Sequence, residues 1–119
     1  MSNKYKIYRC LKHLGLQSNV LGYKYISTAL ELMLEQPARY KGNITKELYP
    51  DVAAIHGSTM SRVERAMRFC ITALFNNMAP EVQEKFFGNT VSMKTGRLSN
   101  SQFLACVALH IEMEDFKDD

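Results

Sequence analysis

The chain has 119 residues, which is the length of one domain with its own hydrophobic core. It contains no run of about 18 apolar residues and no apolar signal core near the N-terminus, which argues against a membrane-spanning or secreted protein and predicts a cytoplasmic one. The formal net charge of +3 hides an uneven distribution, because residues 112–119 carry five acids and one lysine. Residues 1–111 therefore hold fourteen basic and seven acidic side chains, a net +7 that favours a polyanionic partner.

Two helices are predicted in the N-terminal third of the chain. The first runs from about Lys4 to Leu14 and stops at Gly15, and the second runs from about Val20 to Glu35 before Pro37. Their predicted buried faces consist of Ile7, Leu11 and Leu14 in the first helix and Tyr23, Ile26, Leu30, Met33 and Leu34 in the second. We expect these helices to pack together as a scaffold.

Two further helices are predicted in the centre of the chain. Asn43 or Thr45 opens a turn, and Pro50 suits the first position of a helix that ends at His56. A longer helix follows from about Thr59 to Asn76.

The C-terminal third is predicted to add two more helices. Pro80 begins a short helix that ends at Phe87, and residues 88–98 form a polar loop. Ser99 and Gln102 have the spacing of a capping box for a last helix that reaches about Glu112. The sequence thus predicts an all-α fold of about six helices over residues 1–111, without a winged helix, followed by a disordered acidic tail at 112–119.

Tyr49–Arg68 has the spacing of a helix-turn-helix (YPDVAAIHGSTMSRVERAMR). This motif needs a small residue where its helices cross, a residue that tolerates positive φ in the turn, and a buried anchor in the second helix. Ala53, Gly57 and Val63 meet these needs at the fifth, ninth and fifteenth positions. The spacing therefore predicts a DNA-binding motif.

The second helix of this motif has two different faces. Its predicted buried stripe is Met60, Val63, Ala66, Met67, Cys70, Ile71 and Leu74, and its predicted exposed face is Ser61, Arg62, Glu64, Arg65, Arg68 and Thr72. In a major groove, arginine can bind guanine O6 and N7, and glutamate can accept from the cytosine amino group. Ser58 or Thr59 caps the helix start, where free N–H groups favour a backbone phosphate.

Other interpretations of these residues stay open at this stage. Glu64 and Arg68 are four residues apart and would form an ion pair on an ordinary surface helix. A helix-turn-helix can also serve as a protein-interaction module, whose basic face would hold an acidic partner.

An enzyme is not expected, because the sequence lacks paired carboxylates, a phosphate loop and metal-ligand spacing. Cys10, Cys70 and Cys106 are widely separated and are predicted to be core residues, so we expect neither a disulfide framework nor a zinc cluster. No cofactor, metal or small-molecule substrate is expected.

Four segments resemble a known family: ITKELYPDVA, STMSRVERAMR, FFGNTVSM and SNSQFLACVA. They are similar to the C-terminal effector domain of the stage zero sporulation response regulators, over about Ile7–Ile111. The most specific segment is SRVERAMR, because a recognition helix with these four charges in this order is unusual. The resemblance implies a six-helix domain that binds a TGTCGAA-type DNA box, often in tandem copies, and activates or represses promoters.

The resemblance also implies roles for individual residues. It assigns base contacts to Arg62, Glu64 and Arg65, and phosphate contacts to Ser58, Thr59, Ser61 and Arg68. The loop residues Lys94 and Arg97, with Ser92, are further phosphate candidates, although the basic positions of this loop are arranged differently from the family pattern. A second surface, about Glu81–Val91, would contact the sigma subunit of RNA polymerase through Val82 and Phe87. Alternatively, Phe86 and Phe87 close the core beside Val82 and Val91.

Full-length members of the family begin with a phosphoacceptor receiver domain, which has no counterpart in this chain. We therefore expect either an excised effector domain or a stand-alone regulator.

Overall fold

The computed structural model describes residues 2–88 and 98–113, and in these ranges the regular structure is helical. The elements are α1 (Asn3–Leu14), α2 (Leu21–Glu35), α3 (Pro37–Tyr40), a π-helical turn (Ile44–Leu48), α4 (Tyr49–Ile55), α5 (Met60–Asn77), α6 (Pro80–Phe87) and α7 (Asn100–Met113). The predicted all-α class and the six predicted helices are confirmed. The predicted loop 88–98 and the acidic tail lie largely outside the described residues.

The described structure adds two short elements between α2 and α4. Pro37 ends α2 as predicted, and it also begins α3, because proline is compatible with the first turn of a helix. Ile44–Leu48 forms the π-helical turn where a simple turn was expected, and it runs directly into α4. The start of the helix-turn-helix is therefore continuous with the helical turn before it.

Helix α2 lies at the centre of the fold and packs against α1, α5 and α7. Ile26 and Leu30 are buried as predicted, but Tyr23, Met33 and Leu34 are only partly buried. Tyr25 and Ala29 are buried in their place. A single amphipathic stripe describes a helix that packs on one side, and α2 packs on several.

Helix α7 begins with the predicted capping box. The Gln102 backbone N–H donates to Ser99 Oγ at 3.2 Å, and the Ser99 N–H donates to Gln102 Oε1 at 3.1 Å. Phe103 then packs with Phe75 and Phe87, with ring centroids 6.4 and 5.8 Å away. In residues 2–88 and 98–113, no helix is both long and apolar enough to cross a membrane.

Candidate nucleic-acid interface

The helix-turn-helix has the predicted geometry. Ala53 is buried where α4 meets α5, and Val63 is fully buried under α5. Gly57 has φ +60 in the turn, a left-handed conformation that other L-residues adopt only with strain. The turn is closed by the Ser58 N–H, which donates to the Ala53 carbonyl at 2.8 Å. The three positions inferred from spacing therefore perform the three expected roles.

Side chains at both ends fix the position of α4. Near its start, Tyr40 Oη donates to Asp51 Oδ2 at 2.6 Å, and burial with this hydrogen bond raises the pKa of Tyr40 to about 12. At its end, His56 Nε2 lies 2.7 Å from Thr28 Oγ1 of α2. Burial, and secondarily Lys24, lowers the pKa of His56, so its ring is neutral at physiological pH. Helix α4 is thus held at both of its ends.

Thr59 caps α5. Its Oγ1 accepts from the Arg62 backbone N–H at 3.2 Å, while Ser58 Oγ accepts from Tyr25 Oη at 3.1 Å. Of the two predicted caps, Thr59 therefore has the role, and the Ser58 hydroxyl ties the turn to α2. Ser61 is exposed in the first turn. The helix start presents N–H groups and hydroxyls to solvent, an arrangement suited to a phosphate.

The outward face of α5 is basic. Arg62, Arg65 and Arg68 are exposed, whereas Glu64 is half-buried at the edge of this face. Arg68 Nη1 donates to Glu64 Oε1 at 3.1 Å, which is the ion pair of the ordinary-surface interpretation. In the described part of the chain, Arg62 and Arg65 make no ion pair. Two positive charges are therefore available for a ligand on this face.

A buried side chain from α7 holds the middle of α5. Asn100 is buried, and its Nδ2 donates to the Glu64 backbone carbonyl at 3.1 Å. Burial raises the pKa of the neighbouring Tyr49, and the nearby Asn100 side chain partly offsets this effect. These contacts border a polar depression of about 460 Å³ beside α5. Its walls include Tyr49, Ser61, Glu64, Arg68, Ser99 and Asn100. The recognition helix is thus fixed at Glu64 by Asn100, a residue outside the motif.

A family model, described as the sporulation initiation factor Spo0A C terminal, matches residues 7–111 of this chain. The chain belongs to the Spo0A C-terminal family. This family comprises DNA-binding domains of a sporulation transcription factor and is not catalytic. The family, the DNA-binding role and the role in transcription regulation predicted from sequence are thereby confirmed.

For this Spo0A C-terminal domain, the prediction for Met60 is revised and the predictions for the loop after α6 are not tested. Met60 was assigned to the buried stripe of α5, and this is wrong, since its side chain is 42% exposed. It is the first residue of α5 and lies beside the polar depression, beyond the packed part of the stripe. Lys94 and Arg97, with Ser92, lie outside the described residues, so their phosphate contacts stay predictions.

The predicted polymerase-contacting segment contributes to the core of the domain. Phe86 is 7% and Phe87 is 3% exposed, and Phe87 packs 5.1 Å from the Phe75 ring. This burial agrees with the alternative that both rings close the core. Val82 is half-buried, while Glu81 and Lys85 are exposed on α6. A sigma contact through this segment stays a prediction, and exposed residues of α6 would have to contribute to it.

Sequence reasoning missed Phe69 and Asn100. Phe69 is 78% exposed on the outward side of α5, next to Arg62 and Arg65 in the helical rotation. The same rotation places it opposite the buried stripe, so an outward aromatic was a detectable signal. Asn100 gave no such signal, because its contact with Glu64 joins residues 36 positions apart.

Proposed function

We propose that this domain is a sequence-specific transcription regulator that reads a TGTCGAA-like box with α5 in the major groove. The observation that carries the proposal is the exposure of Arg62 and Arg65 on the outward face of α5, where neither makes an ion pair with a described residue. A buried arginine or one already paired with a carboxylate would have to give up its partner before it bound a base. These two guanidinium groups are accessible without such a cost.

The base contacts follow from the chemistry of the three side chains. Arg62 and Arg65 offer paired N–H donors to guanine O6 and N7. Glu64 offers a carboxylate to the cytosine amino group, and the Arg68 hydrogen bond at 3.1 Å orients it. Guanine and cytosine both occur in the proposed box.

The phosphate contacts gather around the start of α5. Thr59 and Ser61 lie at the exposed N-terminus, and Ser58 precedes it in the turn. Arg68 lies two turns further on, and its guanidinium is half exposed. These groups would fix the register of α5 on the duplex, and Lys94 and Arg97 are proposed by resemblance to add contacts to the DNA backbone.

Regulation would require two further partners. A single domain of this size offers few base contacts, so we propose that copies pair on tandem boxes and gain affinity through their proximity. The α6 segment around Val82 and Phe87 is proposed to contact the sigma subunit of RNA polymerase. This function needs no cofactor or small-molecule substrate and is that of a cytoplasmic protein.

The test is a fluorescence-anisotropy titration with a tandem TGTCGAA duplex and a scrambled duplex of the same composition. Measurements at about 50 and 200 mM salt separate sequence reading from general attraction to phosphates. We expect a preference of about tenfold or more for the box that survives the higher salt. Equal and salt-sensitive binding to both duplexes would contradict sequence reading and favour the protein-interaction module.

A further inference from the structure

An open groove runs along one side of the recognition helix, between α5 and the start of α2. We call it the α2–α5 groove; its characteristic residues are Val20, Leu21, Gly22, Arg62, Arg65 and Phe69. Its volume is about 1110 Å³, and most of its lining is apolar. On α5 it extends from Arg62 to Asn77, which is about 22 Å or four helical turns.

Large apolar side chains on the rim of the groove are exposed to solvent. Phe69 is 78% exposed, Leu21 is 56% exposed and Val20 is 42% exposed. Phe69 comes from α5 and the other two from the start of α2, so apolar surface faces the groove from both walls. A contiguous apolar surface of this kind, bordered by polar residues, is typical of a protein-interaction site.

Helices α2 and α5 pack closely together at one point along the groove. A Cβ atom at Gly22 would lie 2.6 Å from the Ala66 carbonyl oxygen and 2.6 Å from Cys70 Cβ, so the two helix backbones are in close contact there. At this contact the groove is lined by the small residues Gly22, Ala66 and Cys70. Along α5 the lining positions recur at intervals of three and four residues, from Arg62 through Ala66, Phe69 and Ala73. This spacing is the one that a second helix packs against.

The charges around the groove specify the kind of helix that would fit. Arg62 and Arg65 lie at one end, and none of the described lining residues is acidic. An apolar helix face would bury Phe69 and Leu21, and acidic residues beside that face would lie close to the two guanidinium groups. A phosphate backbone is a poorer occupant, because the lining beyond Arg65 offers it apolar surface.

We propose that the α2–α5 groove binds an amphipathic helix of a partner protein that carries acidic residues beside its apolar face, and that this partner and DNA exclude each other. The exclusion rests on the proposed function, because both ligands would use Arg62 and Arg65. Docking itself depends only on the groove. The partner would act as an antagonist that occupies the recognition helix before it enters the major groove.

The docking test uses two synthetic fluorescein-labelled peptides of about 18 residues, long enough to span the groove as a helix. The acidic peptide has leucines at intervals of three and four residues with flanking glutamates, and in the basic peptide lysines replace the glutamates. We expect the acidic peptide to bind at least about tenfold more tightly by anisotropy. Phe69→Ser should weaken its binding by about tenfold or more. The matched control is Leu109→Ser, because Leu109 is 54% exposed on α7 and does not line the groove.

Leu21→Ser, on the opposite wall, repeats the test with a variant from another helix. Thermal melts establish that each variant is folded. If neither Phe69→Ser nor Leu21→Ser alters the affinity of the acidic peptide, or if the two peptides bind equally, the docking proposal is overturned. Sedimentation equilibrium adds a further check. A wild-type dimer that Phe69→Ser dissociates would mean that a second copy occupies the groove, which would also overturn the proposal.

The exclusion test adds unlabelled box duplex to the complex with the acidic peptide. We expect the duplex to displace the peptide, and Phe69→Ser to bind the box within about twofold of the wild type. A loss of about tenfold in box affinity, with peptide binding unchanged, would identify Phe69 as a DNA contact and overturn docking. The protein could also bind the peptide through Phe69 and show no preference for the box over scrambled DNA. That result would refute the proposed function and leave the docking proposal intact.

Discussion

The guanidinium of Arg68 donates to the carboxylate of Glu64 at 3.1 Å, one turn apart on the recognition helix. The Glu64 side chain is 35% exposed and that of Arg68 is 49% exposed, so water screens the pair and its contribution to stability is small. Its main effect is on orientation, because the carboxylate is held at the edge of the outward face. The Glu64 carbonyl also accepts from Asn100, so both the backbone and the side chain of this residue are fixed before DNA binds.

Glu64→Gln should change specificity and general affinity in opposite directions. The substitution replaces the charged acceptor for the cytosine amino group with a weaker amide oxygen and adds an NH2 donor, and we expect discrimination at that base pair to fall by about 1–3 kcal/mol. Binding to a scrambled duplex should become tighter, because a negative charge facing the phosphates is removed. The measurement is anisotropy with the box, a box altered at one cytosine, and the scrambled duplex. A uniform decrease on all three would point to a damaged fold instead.

Arg62→Ala should weaken binding to the box by about 1–3 kcal/mol and leave binding to scrambled DNA almost unchanged. The side chain is exposed and forms no ion pair with the described residues, so its loss leaves no buried charge without a partner. Lys12→Ala, on the exposed side of α1, is a control that removes the same charge. Equal effects of the two variants on the box would contradict a base contact by Arg62.

Gly22→Ala should destabilise the domain by about 1–3 kcal/mol. Elsewhere in a helix, this change would stabilise by up to about 1 kcal/mol through helix propensity. Here the new Cβ would meet the Ala66 carbonyl oxygen and Cys70 Cβ at 2.6 Å, so α2 and α5 would have to move apart. Urea denaturation measures the change, and a stabilised variant would show that this helix contact is not tight.

Gly57→Ala should also destabilise the domain, but for a different reason. Apart from Gly57 itself and its two chain neighbours, no atom of the described residues lies within 4 Å of the position where its Cβ would be built, so the cost of about 1–2 kcal/mol would come from the backbone conformation at φ +60. Asparagine tolerates this conformation better, and Gly57→Asn should therefore cost less than Gly57→Ala. The two urea midpoints give the comparison. Equal costs for both variants would rule out the conformational explanation.

Local sequence signals predicted much of the fold. Gly15, Pro37 and the Ser99–Gln102 capping box each stop or start a helix within a few residues, and the structure has these helix ends. The helix-turn-helix was equally accessible, since Ala53, Gly57 and Val63 act within one short segment. Such features depend on neighbours in the chain, which a sequence displays directly.

Features that depend on distant contacts were not predicted. The Ser58 hydroxyl accepts from Tyr25, and the Glu64 carbonyl accepts from Asn100, across 33 and 36 residues respectively. No local periodicity encodes such pairs. Phe69 combines a local and a distant feature. Its outward position follows from the helical rotation of α5, whereas the groove beside it is formed only because α2 packs against α5.

The stability of the domain should fall as the pH is lowered below about 6.5, and His56 should account for part of that fall. Burial, and secondarily Lys24, lowers the pKa of His56 in the folded state, whereas in the unfolded chain it has its ordinary value of 6.5. Well above pH 6.5 the ring is neutral in both states, and its full contribution is present. As the pH falls, the unfolded state gains a proton before the folded state does, so the free energy of unfolding decreases.

Urea denaturation between about pH 7.5 and 5.5 measures how steeply the free energy of unfolding changes with pH. His56→Gln should flatten the slope even if it lowers stability at pH 7.5 through loss of the Thr28 contact. An unchanged slope would assign the pH dependence to other groups.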